Sequence, residues 1–251
     1  MQKYGPAIAR LAFIVSVLII WEGLARLTAI SPILLAPPSA IFRQVVLILA
    51  GQSDAPDFYA HAGTTLLELI IAYGITSILG VFLGLTFARS KLIGDAFEPI
   101  LLTLYAVPKV IFYPVLILML GIGIMSKIVF GVMVGIFVVI FNTAAGLRQV
   151  EPSYVTLARS LGYDEARIFF KVILPAAAPT ILAGLRLGFG YTIIGILTAE
   201  LLVVSEGFGF LLDWASFNYH TPQLYAFIVI TLSIGVIGNS LFSLLERWWV
   251  R

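Results

Sequence analysis

Residues 151–179, E-P-S-Y-V-T-L-A-R-S-L-G-Y-D-E-A-R-I-F-F-K-V-I-L-P-A-A-A-P, set charged, helix-forming residues between two long apolar runs. The chemistry open to them is recognition rather than bond-making. Pro152 suits the first turn of a helix, where its missing N–H is no loss. Tyr154, Leu157, Ala158 and Leu161 then recur at i, i+3, i+4 and i+7, one apolar stripe of that helix. Gly162 supplies the left-handed residue that ends it. Asp164 caps a second helix with the stripe Ala166, Phe169, Phe170 and Ile173, and Pro175 and Pro179 close that helix and redirect the chain. On residues alone, this helix–Gly–helix hairpin either enters a groove in a soluble partner or connects two spans along the interface.

A second set of residues is polar chemistry inside apolar runs. Glu200 and Glu68 stand in stretches long enough to cross a bilayer, where a charge is costly and marks a pathway or a buried polar contact. Asn142 either lines a pathway or hydrogen-bonds a neighbouring helix. Pro108 and Pro114 interrupt a third run with Lys109 between them, which predicts kinks that shape a path or only packing. Lys109 either attracts an anion or snorkels toward headgroups. Pro108, Asn142 and Glu200 are thus the candidates for a translocation pathway. Glu22 and Arg26, at i and i+4, are expected to pair with each other.

Several function classes drop out. The 251 residues include no cysteine and two histidines, with no H-E-x-x-H and no G-x-x-x-x-G-K-[ST], so no metal site, nucleophile–base set, cofactor or nucleotide-binding loop is expected. A net charge of +2 with no dense basic cluster gives no reason to expect nucleic acid. A membrane-embedded enzyme lacks its catalytic groups. A secondary transporter or channel working alone has no use for a docking hairpin.

The elements that must carry these residues follow from composition. Hydrophobic residues make up 61% of the chain and charged residues 11%, with a mean hydropathy of +1.07. Soluble domains lie near about 45–50% and 25%, so this is a polytopic membrane protein. Six runs reach the roughly 20 apolar residues a spanning helix needs: 8–28, 62–88, 96–120, 126–147, 179–204 and 223–246. The first is read as an uncleaved span, because Trp21, Glu22 and Arg26 stand where a signal-peptide cleavage site would be. Ser39 is a plausible N-cap for an amphipathic interfacial helix over 40–50, and 205–222 predicts a short helix resting at the interface. With the N-terminus in the cytoplasm, Lys3, Arg10, Arg89, Lys91, Arg148, Arg159, Arg167, Lys171, Arg247 and Arg251 fall inside. Arg43 and Lys127 fall outside, and Trp248 and Trp249 close the last span as an interfacial belt. Gly80/Gly84 and Gly184/Gly188 have the small-x-x-x-small spacing of closely approaching helices.

L-A-R-S-L-G (157–162), followed by V-I-L-P (172–175), resembles the EAA loop of membrane subunits of binding-protein-dependent ABC importers. That signature runs E-A-A-x-x-x-G, nine residues, then I-x-L-P; here Thr156 and Leu157 fill its first two positions and Ala158 keeps the alanine. L-L-A-P-P-S-A-I (34–41), G-V-F-L-G-L-T-F-A-R-S (80–90), A-V-P-K-V-I-F-Y-P-V-L-I-L-M-L-G-I-G (106–123), F-N-T-A-A-G-L-R (141–148) and T-A-E-L-L (198–202) are similar to the nitrate/sulfonate/taurine-type permease subgroup.

The resemblance implies an all-α integral membrane protein of the type I importer fold, with six transmembrane helices and both termini cytoplasmic. Residues 1–60 would form the first span and external helix, and 61–251 a five-span core with the coupling loop 151–178. It implies a bacterial inner-membrane permease, working with a second permease copy, two cytoplasmic ABC ATPase subunits and an extracytoplasmic substrate-binding protein. The solute would be small and anionic: a sulfonate or taurine, nitrate or bicarbonate, or else a vitamin precursor. Leu157, Ala158, Leu161, Gly162, Leu174 and Pro175 would couple to the ATPases, through shape and apolar contact rather than a carboxylate at position 156.

Overall fold

A computed structural model of the chain describes residues 5–27 and 31–249, apart from the side chains of residues 5–7, 91 and 245–249. The expectations for Lys3, Lys91, Arg247, Trp248, Trp249 and Arg251 therefore lie outside the described residues or side chains. Every regular element described is helical: α1 (Gly5–Leu27), α2 (Pro38–Leu49), α3 (Phe58–Arg89), α4 (Lys91–Ala106), a short 3-10 turn (Lys109–Phe112), α5 (Tyr113–Leu120) and α6 (Ile124–Arg148). After them come α7 (Pro152–Ser160), α8 (Glu165–Ile168), a π turn (Phe169–Ile173), α9 (Leu174–Leu202), α10 (Phe208–Phe217) and α11 (Thr221–Trp249). Backbone groups in lipid must be satisfied within the segment, which is why the long apolar runs fold this way.

The centre is built by α3, α6 and α9, which pack most extensively on one another. Glycines let their backbones meet. A Cβ on Gly80 would run into the Val139 side chain, and one on Gly84 would lie 2.8 Å from the Ile140 carbonyl, so α3 rides directly on α6. Along the same stretch of α6, a Cβ on Gly195 would lie 2.8 Å from the Gly131 Cα, and Gly188 faces Val139 and Gly135. The pairs at 80/84 and 184/188 are as the sequence suggests; α6 contributes Gly131 and Gly135 to the same seam.

Outside this centre, α10 and α11 form a second core with α2, in which Phe208, Leu211, Ala215, Ala226 and Phe227 are buried with Ile41 and Ile48. The short helix at 208–217 is thus packed into the protein and not merely resting at an interface. Helix α1 stands apart, with none of its span buried in the chain. It is attached near its end, where Trp21 packs on this second core and edge-on to Tyr225, and the Glu22 carboxylate accepts from the Ser39 amide (3.0 Å) and hydroxyl (2.7 Å) and pairs with Arg26 (2.5 Å). Glu22 thereby satisfies the start of α2 from outside. The cap residue of α2 is Pro37, and Ser39 lies inside the helix, because Pro38 already fits the first turn.

Two proline expectations need correction. The third span is bent by 85° between α4 and the segment 109–120, and the break falls at Val107–Pro108. Pro114 makes no second kink, because it sits in the first turn of α5 where no N–H is missed. Pro175 and Pro179 do not end the second hairpin helix; Glu165–Leu202 runs as one span of 38 residues. The π turn over 169–173 widens the ladder, the Leu174 amide reaching the Phe169 carbonyl, just ahead of Pro175. The helix accommodates the proline there instead of breaking.

Glycine packing gives a direct test. Gly135→Val would press Cβ against the Thr192 hydroxyl and to within about 3.1 Å of the Gly188 carbonyl, whereas a Cβ on Gly74 meets nothing within 4 Å. Thermal unfolding in detergent should show Gly135→Val destabilised by about 1–3 kcal/mol and Gly74→Ala close to wild type.

Candidate functional site

At one end of the bundle the hairpin is held by local hydrogen bonds. The Gly162 amide donates to the Arg159 carbonyl (2.9 Å) and the Tyr163 amide to the Ala158 carbonyl (3.1 Å). With Gly162 at φ +80°, this is a Schellman close. Asp164 then accepts from the Arg167 amide at 2.7 Å and starts α8 as expected. An ion pair from Arg159 to Glu165 (2.9 Å) spans the turn between them.

The predicted apolar stripes divide differently from expectation. Ala158 turns inward and is buried, while Tyr154, Leu157 and Leu161 are 52%, 59% and 67% exposed. On the second helix the buried anchor is Ile168, which falls off the predicted stripe, and Phe170 points out at 65% exposure. The side of the turn facing the bundle needs only one small and one branched residue. Leu174 is half-buried and Pro175 exposed where the π turn passes into α9. Arg89 lies over the Phe169 ring at 5.8 Å, fixing the hairpin to the end of α3.

At the opposite end of α9 lies a buried polar cluster. Glu200, Glu68 and Lys127 are each at most 1% exposed. Lys127 pairs with Glu68 (3.3 Å) and donates to the Glu206 carbonyl (3.0 Å). Lys127 is therefore a buried partner from the first turn of α6, and not a loop charge flanking a span. The loop into α10 is satisfied by three neighbours in succession. The Gly207 amide donates to His61 Nδ1 (3.2 Å), Phe208 to the Thr65 hydroxyl (2.9 Å), and Gly209 to Glu200 Oε2 (2.9 Å). Thr65 in turn donates to Glu200 Oε1 at 2.6 Å. Helix α10 has no side-chain cap of its own, so α3 and α9 supply acceptors for its first amides. Gly207 has φ +94°, and a Cβ there or at Gly209 would collide with Glu200.

The three pathway candidates do not share a site. Glu200 is enclosed in this cluster. Asn142 bonds back to the Val138 carbonyl of its own helix (2.8 Å) and packs against Gly184 at the α6–α9 seam, with no hydrogen bond to a neighbouring helix among the described residues. Pro108 lines an open cavity of about 350 Å³ beside the break of the third span. Sequence reasoning missed the pairing of Glu68 with Lys127 and a bond from Arg186 on α9 to Asn239 on α11. The available signal was an opposite charge at the end of another span.

Removing Lys127 should leave Glu68 buried without its counter-charge. Lys127→Met is expected to cost about 3–5 kcal/mol, with most of it regained when Glu68→Leu is added. A double-mutant cycle on thermal unfolding in detergent checks this; equal and additive losses would show the two groups to be independent.

The comparisons with known proteins agree with this architecture. Over 98% of this chain and 96% of its own length, the formylaminopyrimidine transport permease protein ThiX of Halalkalibacterium halodurans is 27% identical. The taurine transport system permease protein TauC of Escherichia coli is 30% identical over 92% of this chain and 84% of its own length. Among solved structures, a chain of the inward-facing MetNI methionine ABC transporter superposes with a TM-score of 0.65 at 16% identity, covering 75% of this chain and 94% of that one. That likeness is one of fold. Residues 76–251 match the model of the binding-protein-dependent transport system inner membrane components, and the chain belongs to that family.

Proposed function

We propose that this chain is the membrane-spanning subunit of an ATP-driven importer, working as a pair of copies with two cytoplasmic ATPase subunits and an extracytoplasmic binding protein. It would move a small anionic solute into the cytoplasm by alternating access. ATP hydrolysis belongs to the partner subunits, and this chain is the multi-pass inner-membrane component. Support for an anion comes from the sequence likeness to the sulfonate and nitrate subgroup and from TauC, whose named solute, taurine, carries a sulfonate.

The observation that carries the coupling is the hairpin's exposed apolar stripe of Tyr154, Leu157 and Leu161 on a helix closed by Gly162. Three large apolar side chains held out by a stapled turn suit insertion into a cleft of a partner. Arg89, Arg148, Arg159, Arg167 and Lys171 gather at this end, which favours the cytoplasmic side. Movement of α7 would pass through the Gly162 turn, stapled by the Arg159–Glu165 ion pair, into α8, which continues through the π turn into α9 as one helical span. ATP shifts the membrane helices only through contacts that differ between the two states. A rigid connector is what carries such a difference.

Two variants separate docking from coupling. Leu157→Asp changes an exposed residue, so thermal stability should stay within about 0.5 kcal/mol, while ATPase retained on purification falls about tenfold or more. Gly162→Val has open space for its side chain but a left-handed backbone, costing about 1–2 kcal/mol. It should insert and yet fail to couple hydrolysis to uptake in proteoliposomes. Uptake at the wild-type rate in the Gly162 variant would rule out the lever.

A further inference from the structure

Of the basic side chains within the spans, Lys109 is partnered differently from Lys127. Lys127 is enclosed with Glu68, whereas Lys109 makes no ion pair among the described residues. Its ammonium instead donates to the Tyr105 carbonyl and lies over the Tyr105 and Phe137 rings at 4.8 and 5.1 Å. The break at Pro108 creates this arrangement. In a continuous helix the Tyr105 carbonyl would accept the Lys109 amide; with α4 ended at Ala106, it accepts the ammonium. A carbonyl and two ring faces are neutral partners, and they leave a full positive charge uncompensated beside the apolar interior.

That charge stands on the wall of the open cavity of about 350 Å³ between the broken span, α6 and α9. Among the described residues lining it there is no aspartate or glutamate, and its other polar side chains are Tyr105, Tyr191 and Thr198. Tyr105 and Tyr191, 36% and 38% exposed, both stand on its wall. One cation, two phenols able to donate and no competing carboxylate make a lining that favours a compact anion over a cation.

The geometry points to Lys109 as the charge-reading residue of a solute subsite inside the permease: its ammonium and the Tyr105 and Tyr191 hydroxyls hold the anionic group of the solute during passage. This rests on the reading above that the chain imports an anion. The subsite is not carried by Pro108, which only opens the helix; Lys109 touches the solute. A Gln at 109 keeps a donor and loses the charge, and an Arg keeps both.

The test uses the full complex of permease, ATPase and binding protein in proteoliposomes. The probes are ethanesulfonate, taurine and nitrate as the anion-bearing solutes and formylaminopyrimidine as the neutral one. Uptake is expressed per ATP hydrolysed, so differing amounts of folded complex cancel. For an anion that wild type imports, Lys109→Gln should lower this ratio about ten- to hundredfold, the loss of a charge-assisted contact. Lys109→Glu should lower it further, and Lys109→Arg should retain most of it. Dependence of the rate on the concentration of loaded binding protein should be unchanged, since that docking lies elsewhere. Anion uptake in Lys109→Gln and Lys109→Glu at the wild-type ratio would overturn the subsite while leaving anion import intact. Wild type that imports only the neutral solute, or none of the anions, would overturn the anion reading and the subsite with it.

Discussion

The backbones of α3, α6 and α9 touch, and everything else in the chain is arranged around that touching. In a bilayer there is no hydrophobic force between helices, since lipid tails are as apolar as leucine. Attraction has to come from many weak dispersion contacts, and those are large only when helix axes come close. Gly80, Gly84, Gly131, Gly135, Gly184, Gly188 and Gly195 remove the Cβ atoms that would keep the axes apart. Branched side chains fill the space the glycines leave, Val139 against Gly80 and Gly188 and Ile196 against Gly131. Thr76, Thr143 and Thr192 are the polar residues it encloses, small enough to fit, and the Thr192 hydroxyl bonds back to the Gly188 carbonyl of its own helix at 2.8 Å.

Because the seam holds α9 along its length, α9 behaves as a rod. Its 29 residues span roughly 40 Å at 1.5 Å per residue. One end continues through a π turn into the hairpin, and the other carries Glu200 into the start of α10. The two ends use different chemistry. At the hairpin, exposed apolar side chains are presented to water by a turn whose hydrogen bonds are all local. At the far end, buried charges and amides face one another, Glu68 paired with Lys127 and the first amides of α10 with acceptors on α3 and α9. An exposed apolar face costs stability unless something covers it, whereas a sealed ion pair is costly to separate. The first is therefore suited to a contact that another molecule completes, the second to holding parts of one chain in register.

Features decided by neighbours in sequence were legible. Gly162, Asp164 and Pro152 gave the hairpin its shape because capping is settled within four residues. The Glu22–Arg26 pair was legible for the same reason, yet its capping of α2 through Ser39 was not, since it depends on how α1 meets α2. Pro175 and Pro179 misled because neither ends the helix: a π turn over 169–173 leads into Pro175, and Pro179 is carried inside α9. Lys127 looked like a flanking charge because it opens α6. Its partner Glu68 lies on a different helix, and only the crossing of α3 and α6 brings them together. Ile168 escaped the stripe for a similar reason. Helical periodicity identifies an apolar face but not which part of it the rest of the protein covers.

Four ionisable residues within the described spans, Glu68, Lys127, Glu200 and Lys109, are accommodated in different ways. Glu68 and Lys127 cancel each other in a dry interior. Glu200 is held by hydrogen-bond donors, the Thr65 hydroxyl and the Gly209 amide, so that its oxygens serve as the missing cap of a helix. Lys109 has only a carbonyl and ring faces, and it alone of the four stands at an open cavity. Burial with a partner removes a charge from the reach of any solute, whereas a charge left beside a cavity without a counter-ion keeps its field available there. The distinction follows from the helix break: a span that ran straight through Pro108 would have used the Tyr105 carbonyl for its own ladder. The same interruption that opens the third span therefore also provides the partner that lets a lone lysine stay within it.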